Sequence, residues 1–261
     1  MLDLPTPSLI GVIHLAPLPG TARHLLPMNE IIDRALCDAN TLQIAGFDAI
    51  MVENFGDVPF HATHLPLASV ASMALVVDRV RRSTELPIGV NALRNDPRAA
   101  LGIAAAAGAS FIRVNIHIGA TVTDQGLIQG DAVGTLQYRK LLGQRIAILA
   151  DVHVKHGTPL GESDLAQAAR DTAYRGLADA LIVTGSATGA PTDFEDLQSV
   201  RRAVPDRRLF IGSGATAENV DKLLEIADGV IVGTGIKREA NPDHPIDLAL
   251  AETFVHATGR G

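Results

Sequence analysis

The sequence predicts an α/β fold, a single eight-fold β/α barrel over residues 1–261. Three observations point to it. The length of 261 residues is close to the roughly 250 typical of one such barrel. Strand-like and helix-like stretches alternate along the whole chain, as a parallel sheet with crossover helices requires. Four of the strands, at alternate positions, share one pattern: GFDAIMVEN (46–54), GASFIRVNI (108–116), LADALIVTG (177–185) and IADGVIVGT (226–234). Alternate strands of a closed barrel feed the same interior layer, so Glu53, Asn115, Thr184 and Gly233 should lie on one ring at the C-terminal rim.

The first strand, 9–15, leads into a loop with Pro17, Pro19, Gly20 and Arg23, then a helical pattern near 29–45. Cys37 falls in that helix and is expected to be a buried small hydrophobe. The second strand, 47–54, delivers Glu53; its loop carries Phe55, Asp57, Phe60 and His61 before a helix near 65–83. The third, 87–93, presents Asn91 and precedes a helix near 96–107. The fourth, 110–117, presents Arg113, Asn115 and His117 by two-residue parity. A long connection follows, HIGATVTDQGLIQG (117–130), of the kind that serves as a lid or binding loop, with Asp124 and Gln125 able to enter a closed site. A helix near 131–142 completes the unit.

The fifth strand, 145–155, anchors the functional reading. Ala147, Leu149, Asp151, His153 and Lys155 share one face, while Ile148, Ala150, Val152 and Val154 share the other. One face is apolar throughout, as against a covering helix. The other ends in an acid, an imidazole and an amine, which suits the mouth of a pocket and not a plain core. A helix near 162–175, a sixth strand at 179–185 with Thr184 and Gly185, and a helix near 193–204 follow. The seventh strand, 208–214, ends in Gly212-Ser213-Gly214; a helix near 216–226 follows, with Thr216 either a hydroxyl donor to an anion alongside Ser213 and Thr234 or simply the helix N-cap. The eighth, 228–234, ends in Gly233-Thr234 and precedes a helix near 245–256. Lys237, His244 and the stretch 238–245 read as surface.

Glycine-rich ends on consecutive strands let backbone N–H groups approach an anion, and barrels place phosphates at this position. The chain therefore reads as a TIM barrel of the phosphate-binding type. Glu53, Asp151, His153 and Lys155 are the candidate catalytic groups for acid–base work beside a carbonyl, with Lys155 also able to form a Schiff base. Asn91, Arg113, Asn115, Asp124, Thr184, Gly185, Gly212, Ser213, Gly214, Gly233 and Thr234 are the candidate substrate-binding groups. Glu53, Asp151 and His153 could instead hold a divalent metal, although no compact metal motif is present, and no other cofactor is indicated.

Composition narrows the partners. A net charge of −7 with both signs interspersed argues against nucleic acid or an anionic membrane. No run is apolar enough to span a bilayer, and no secretory signal is apparent, so a cytoplasmic protein is expected. With one cysteine no intrachain disulfide can form. The partner expected is a small phosphorylated ligand, with self-association into a homo-oligomer left open.

Several of these segments carry a family resemblance: GVIHLAPLPG (11–20), IMVENFGDVPF (50–60), GVNALRND (89–96), FIRVNIHIGATVTDQGLIQG (111–130), ADVHVKH (150–156), ALIVTGSATG (180–189) and IGSGATAENV (211–220). They resemble the BtpA/SgcQ family. The resemblance implies a TIM-type barrel of the phosphate-binding kind. It also implies two roles, since a cyanobacterial member is similar to a peripheral photosystem I stability factor and others resemble products of sugar-metabolism operons. It supplies no catalytic residues. The readings are thus an enzyme on a sugar or nucleoside-derived phosphate (isomerase, epimerase, aldolase-like lyase, or metal-assisted hydrolase) and a non-catalytic photosystem I assembly factor.

Overall fold

A computed structural model describes residues 3–154, 156–161, 164–185 and 193–260. In chain order the strands are β1 (Ser8–His14), β2 (Ala49–Glu53), β3 (Ile88–Asn91), β4 (Phe111–Val114), β5 (Ala120–Thr123), β6 (Gly126–Gln129), β7 (Ala147–Asp151), β8 (Gly157–Pro159), β9 (Ala180–Val183), β10 (Arg208–Ile211) and β11 (Gly229–Val232). The α-helices are α1 (Met28–Ala45), α2 (Leu67–Ser83), α3 (Pro97–Ala107), α4 (Ala132–Leu142), α5 (Leu165–Arg170), α6 (Phe194–Ala203), α7 (Val220–Leu224) and α8 (Leu248–Ala257). Parallel strands in the order β1-β2-β3-β4-β7-β9-β10-β11 close into a barrel, with β11 pairing back onto β1.

Parity along the strands separates two cores. Ile10, Val12, Met51, Leu149, Ile182 and Ile231 fill the barrel interior. Ile148, Ala150 and Val152 belong to the outer core that faces the helices. Few aromatics are needed, but two are decisive. A Cβ on Gly89 would sit 2.0 Å from the Phe111 ring, and one on Gly229 2.7 Å from the Phe210 ring, so each glycine makes room for a phenylalanine.

The polar residue that opens the repeated strands has a structural task. The carboxylates of Asp48, Asp179 and Asp228 accept the backbone N–H of Leu9, Ile148 and Leu209 on the neighbouring strands, at 2.7–2.8 Å. Each is also paired with an arginine: Arg260, Arg139 and Arg201 respectively. Half of the repeat thus records how adjacent strands are tied at the N-terminal end of the barrel.

Four expectations need correction. The strand expected over 145–155 stops at Asp151, because the chain turns back so that Gly157–Pro159 can pair with β5. The long connection at 117–130 is a hairpin, β5 and β6, which with β8 forms a small antiparallel sheet. The helix expected from 216 shrinks to Val220–Leu224, because the Asn219 side chain accepts from the Thr216 N–H at 2.8 Å and donates to the Gly214 carbonyl at 3.0 Å, holding that stretch as a loop; Thr216 is not the N-cap. Cys37 lies on the exposed side of α1. In addition α5 runs into one π-helical turn over Asp171–Arg175.

Candidate functional site

The strand ends converge on a cavity of about 140 Å³ at the C-terminal mouth of the barrel. Gly212 to Thr216 form one wall and Gly233 to Gly235 another, with Glu53, Arg113, His14 and Phe55 opposite. Gly214 adopts a φ of +76°, which favours glycine and lets the loop bend around the space. The wall admits no side chain at Gly212 or Gly233. A Cβ on Gly212 would meet Ile182 Cγ2 at 2.5 Å, Thr184 Cγ2 at 3.0 Å and Arg113 Nη2 at 3.1 Å. One on Gly233 would sit 2.8 Å from the His14 ring. Ser213 is buried beside them, and Thr234 opens the short 3₁₀ turn Thr234–Ile236.

Strand register explains the opposite wall. His14, Glu53, Asn91 and Arg113 are consecutive partners across β1, β2, β3 and β4, so all four face the interior. Arg113 forms a two-pronged ion pair with Asp151, Nε to Oδ1 at 2.9 Å and Nη2 to Oδ2 at 3.1 Å. Asn115 Nδ2 donates to Asp151 Oδ2 at 3.0 Å, and Asn91 Nδ2 donates to Asn115 Oδ1 at 3.0 Å and to the Arg113 carbonyl at 3.2 Å. Burial alone would lower the Arg113 guanidinium, but the charge of Asp151, the hydrogen bonds to it, and the charge of Glu53 outweigh it and raise its pKa. The described residues donate no hydrogen bond to the Glu53 carboxylate, which is 6% exposed and opens on the cavity.

Sequence reasoning missed Arg94 and His14. Arg94 is 5% exposed, and burial lowers its pKa against the opposing charges of Asp151 and Glu53. Its loop is held on both sides: Asn54 Oδ1 accepts the Leu93 N–H at 2.7 Å, and Asn95 exchanges hydrogen bonds with the backbone of Ile116 at 2.9 Å. Two buried cations, Arg94 and Arg113, therefore face two buried carboxylates, Glu53 and Asp151. Arg94 lies beyond the end of its strand, where two-residue parity no longer applies. His14 ends β1 and stacks on Phe55, with ring centroids 4.4 Å apart.

The remaining candidates divide. Thr184 Oγ1 donates to the His153 carbonyl at 3.1 Å, beside the cavity. Asp124 sits exposed at the hairpin tip, within electrostatic reach of Arg94. His153 lies past the end of β7 and lines a different cavity together with His117. Gly185 follows β9 and is buried. Lys155 lies outside the described residues. Among the described residues no three His, Cys, Asp or Glu side chains are grouped to hold a metal ion, so Glu53, Asp151 and His153 do not assemble as a metal site. Lys237 is buried at 2% exposure, contrary to the surface reading, with Nζ donating to the Pro242 carbonyl at 2.8 Å. Among the described residues no helix is long and apolar enough to cross a membrane.

Solved structures with the same fold include the KGPDC of Streptococcus mutans, with a TM-score of 0.60 at 14% identity over 97% of this chain and 98% of that one. They also include a phosphoribosyl anthranilate isomerase from Thermus thermophilus, with a TM-score of 0.59 at 11% identity over 97% of this chain and 98% of that one. At such identities the likeness is one of fold. Relatives in sequence are nearer. A photosystem I biogenesis protein BtpA of Synechocystis is 46% identical over 97% of this chain and 88% of its own length. A protein of Thermococcus kodakarensis is 45% identical over 97% of this chain and 96% of its own length. The model of the BtpA family matches residues 6–260. With a match from the first strand to the last helix, the chain belongs to the BtpA family.

Proposed function

We propose that the protein is an enzyme that binds a small phosphorylated substrate, a sugar or nucleoside-derived phosphate, and moves a proton beside its carbonyl. One observation carries this reading: the two glycine-rich loops, Glu53 and Arg113 share a single cavity. In it the phosphate sits against Gly212–Gly214 and Gly233–Thr234, where backbone can approach an anion closely. Glu53 is the base, because it opens on the cavity and the described residues do not hold it by hydrogen bonds. Asp151 is spoken for: it accepts three hydrogen bonds from Arg113 and Asn115. Its part is to fix the guanidinium, which faces negative charge that develops on a substrate oxygen; Arg94 adds positive charge near Glu53 and Asp151. Lys155 remains the candidate amine for a Schiff base, and the chemistry is that of an isomerase, epimerase or aldolase-like lyase.

The test is isotope exchange. Incubated in D₂O with a panel of ketose and aldose phosphates, the protein should wash deuterium into carbon next to the carbonyl of its substrate. Glu53→Gln should slow that exchange by about 10²–10⁴-fold, the range of a general base, while inorganic phosphate still raises the melting temperature. Exchange undiminished in the variant removes Glu53 from the role. Borohydride trapping with the same panel tests Lys155, and lack of covalent adduct removes the Schiff base.

The name of the Synechocystis relative favours a second reading, a photosystem I assembly factor. A scaffold has no use for two buried charges, Glu53 and Arg113, on the wall of a cavity. Co-purification with photosystem I membranes, without any phosphate response, would favour it.

A further inference from the structure

The cavity at the strand ends has a larger neighbour of about 500 Å³, lying between β1, α1 and the segment before α8. His14 and Phe55 line both. The smaller space suits a phosphate and little more. The larger falls in the range of about 300–1,000 Å³ common for small-molecule sites. Its walls are of two kinds. Ile13, Leu15, Pro17, Leu26, Ile31 and Phe55 are apolar, while Arg23, Asp243, His244 and Lys237 offer donors and acceptors.

The scaffold around it is braced. Asp57 is buried, accepts the Leu18 N–H at 2.8 Å, and accepts from Asn54 Nδ2 at 2.9 Å, which ties the loops after β1 and β2 together. Gly56 packs so closely on Pro17 that a Cβ would lie 2.6 Å from its nitrogen. On the far side Asp38 accepts the Ile246 N–H at 2.9 Å, joining α1 to the segment before α8.

We propose that this chamber binds the ring system of a nucleoside-derived phosphate whose phosphate occupies the smaller cavity. The inference rests on the phosphate reading above and deepens it by choosing the nucleoside-derived class over a plain sugar phosphate. Nucleoside 5′-monophosphates serve as probes of binding and not of turnover, since their closed glycoside carries no sugar carbonyl. A flat base lays apolar faces on one wall and turns a hydrogen-bonding edge to the other. A simple sugar would press hydroxyls against the apolar wall and leave them unpaired. The stacked His14–Phe55 pair lines both spaces, and the sugar is placed beside it.

Cys37, the sole cysteine, is exposed and lines the chamber, so it reports occupancy. The experiment follows the rate of labelling of Cys37 by a fluorescent maleimide. Inorganic phosphate should raise the melting temperature yet leave that rate unchanged. One or more of the four nucleoside 5′-monophosphates, at saturation, should slow it at least ten-fold. Cys37→Trp, a change on an exposed helix face, should weaken that nucleotide ten-fold or more and leave inorganic phosphate binding intact. If phosphate stabilises the protein but no nucleotide slows labelling, the chamber assignment fails and the phosphate site stands. If neither phosphate nor any nucleotide stabilises it, both fail.

Discussion

Asp151 shows how residue type and position together decide a role. As an acid at a strand end it reads as a candidate base, and that much is visible in the sequence. What sequence cannot give is its partner, because Arg113 is 38 residues away and meets it only when β4 and β7 pair. Removing one partner of such a buried pair leaves an uncompensated charge. Arg113→Met alone, or Asp151→Leu alone, should therefore cost about 3–5 kcal/mol in denaturant unfolding. The double variant should regain at least half of that, since it leaves neither member of the pair buried without the other. A strictly additive double would contradict the pairing.

His117 is the residue at which pH enters. Burial lowers its pKa, only partly offset by its Nε2 hydrogen bond to the Gly176 carbonyl at 2.7 Å. The unfolded chain titrates it near the ordinary 6.5, and the folded one below that. Above 6.5 both states are neutral and its contribution to stability is complete. As pH falls past 6.5 the unfolded chain takes up the proton first, so stability declines, by at most about 1.4 kcal/mol per pH unit for one proton. His117→Gln, which retains a donor toward Gly176, should remove that share of the slope between pH 7 and 5. An unchanged slope would place the acid sensitivity elsewhere.

At the level of elements, the barrel strands were legible because a buried parallel strand is a short apolar run bounded by polar and glycine ends. The β5–β6–β8 sheet was not. Its strands are four, four and three residues long, with one buried side chain, Ile128, on β6, so period-two alternation never accumulates. Its tip does carry a turn signal, since Gly126 has a φ of +91°. Gly126→Val should disrupt the hairpin and leave the barrel folded, because the two sheets are separate. Hydrogen exchange should then lose protection over 120–129 alone. Loss of protection in β4 or β7 would mean that the hairpin supports the barrel. The same limit explains Arg94, whose loop is placed by Asn54 and Asn95 and not by any periodicity.

For the molecule as a whole, the repeat on alternate strands proved to carry two messages. Its acidic openings tie neighbouring strands together below, through Asp48, Asp179 and Asp228. Its ends above bring Glu53 and Gly233 to one cavity and set Thr184 against Gly212, while Asn115 sits behind them on Asp151. Parity held as far as each strand ran and misled where one stopped, which is why Asp151 faces Arg113 and His153 does not join it. Closure of the barrel is what makes the loops after β10 and β11 neighbours of β1 and β2. That neighbourhood is the basis of the proposed chemistry.

The most direct test is a crystal structure with a bound phosphate ester. Phosphorus density should lie between Gly212–Thr216 and Gly233–Gly235, with Glu53 and Arg113 facing the attached carbon chain. A phosphate bound firmly elsewhere, with that cavity holding only solvent, would contradict it.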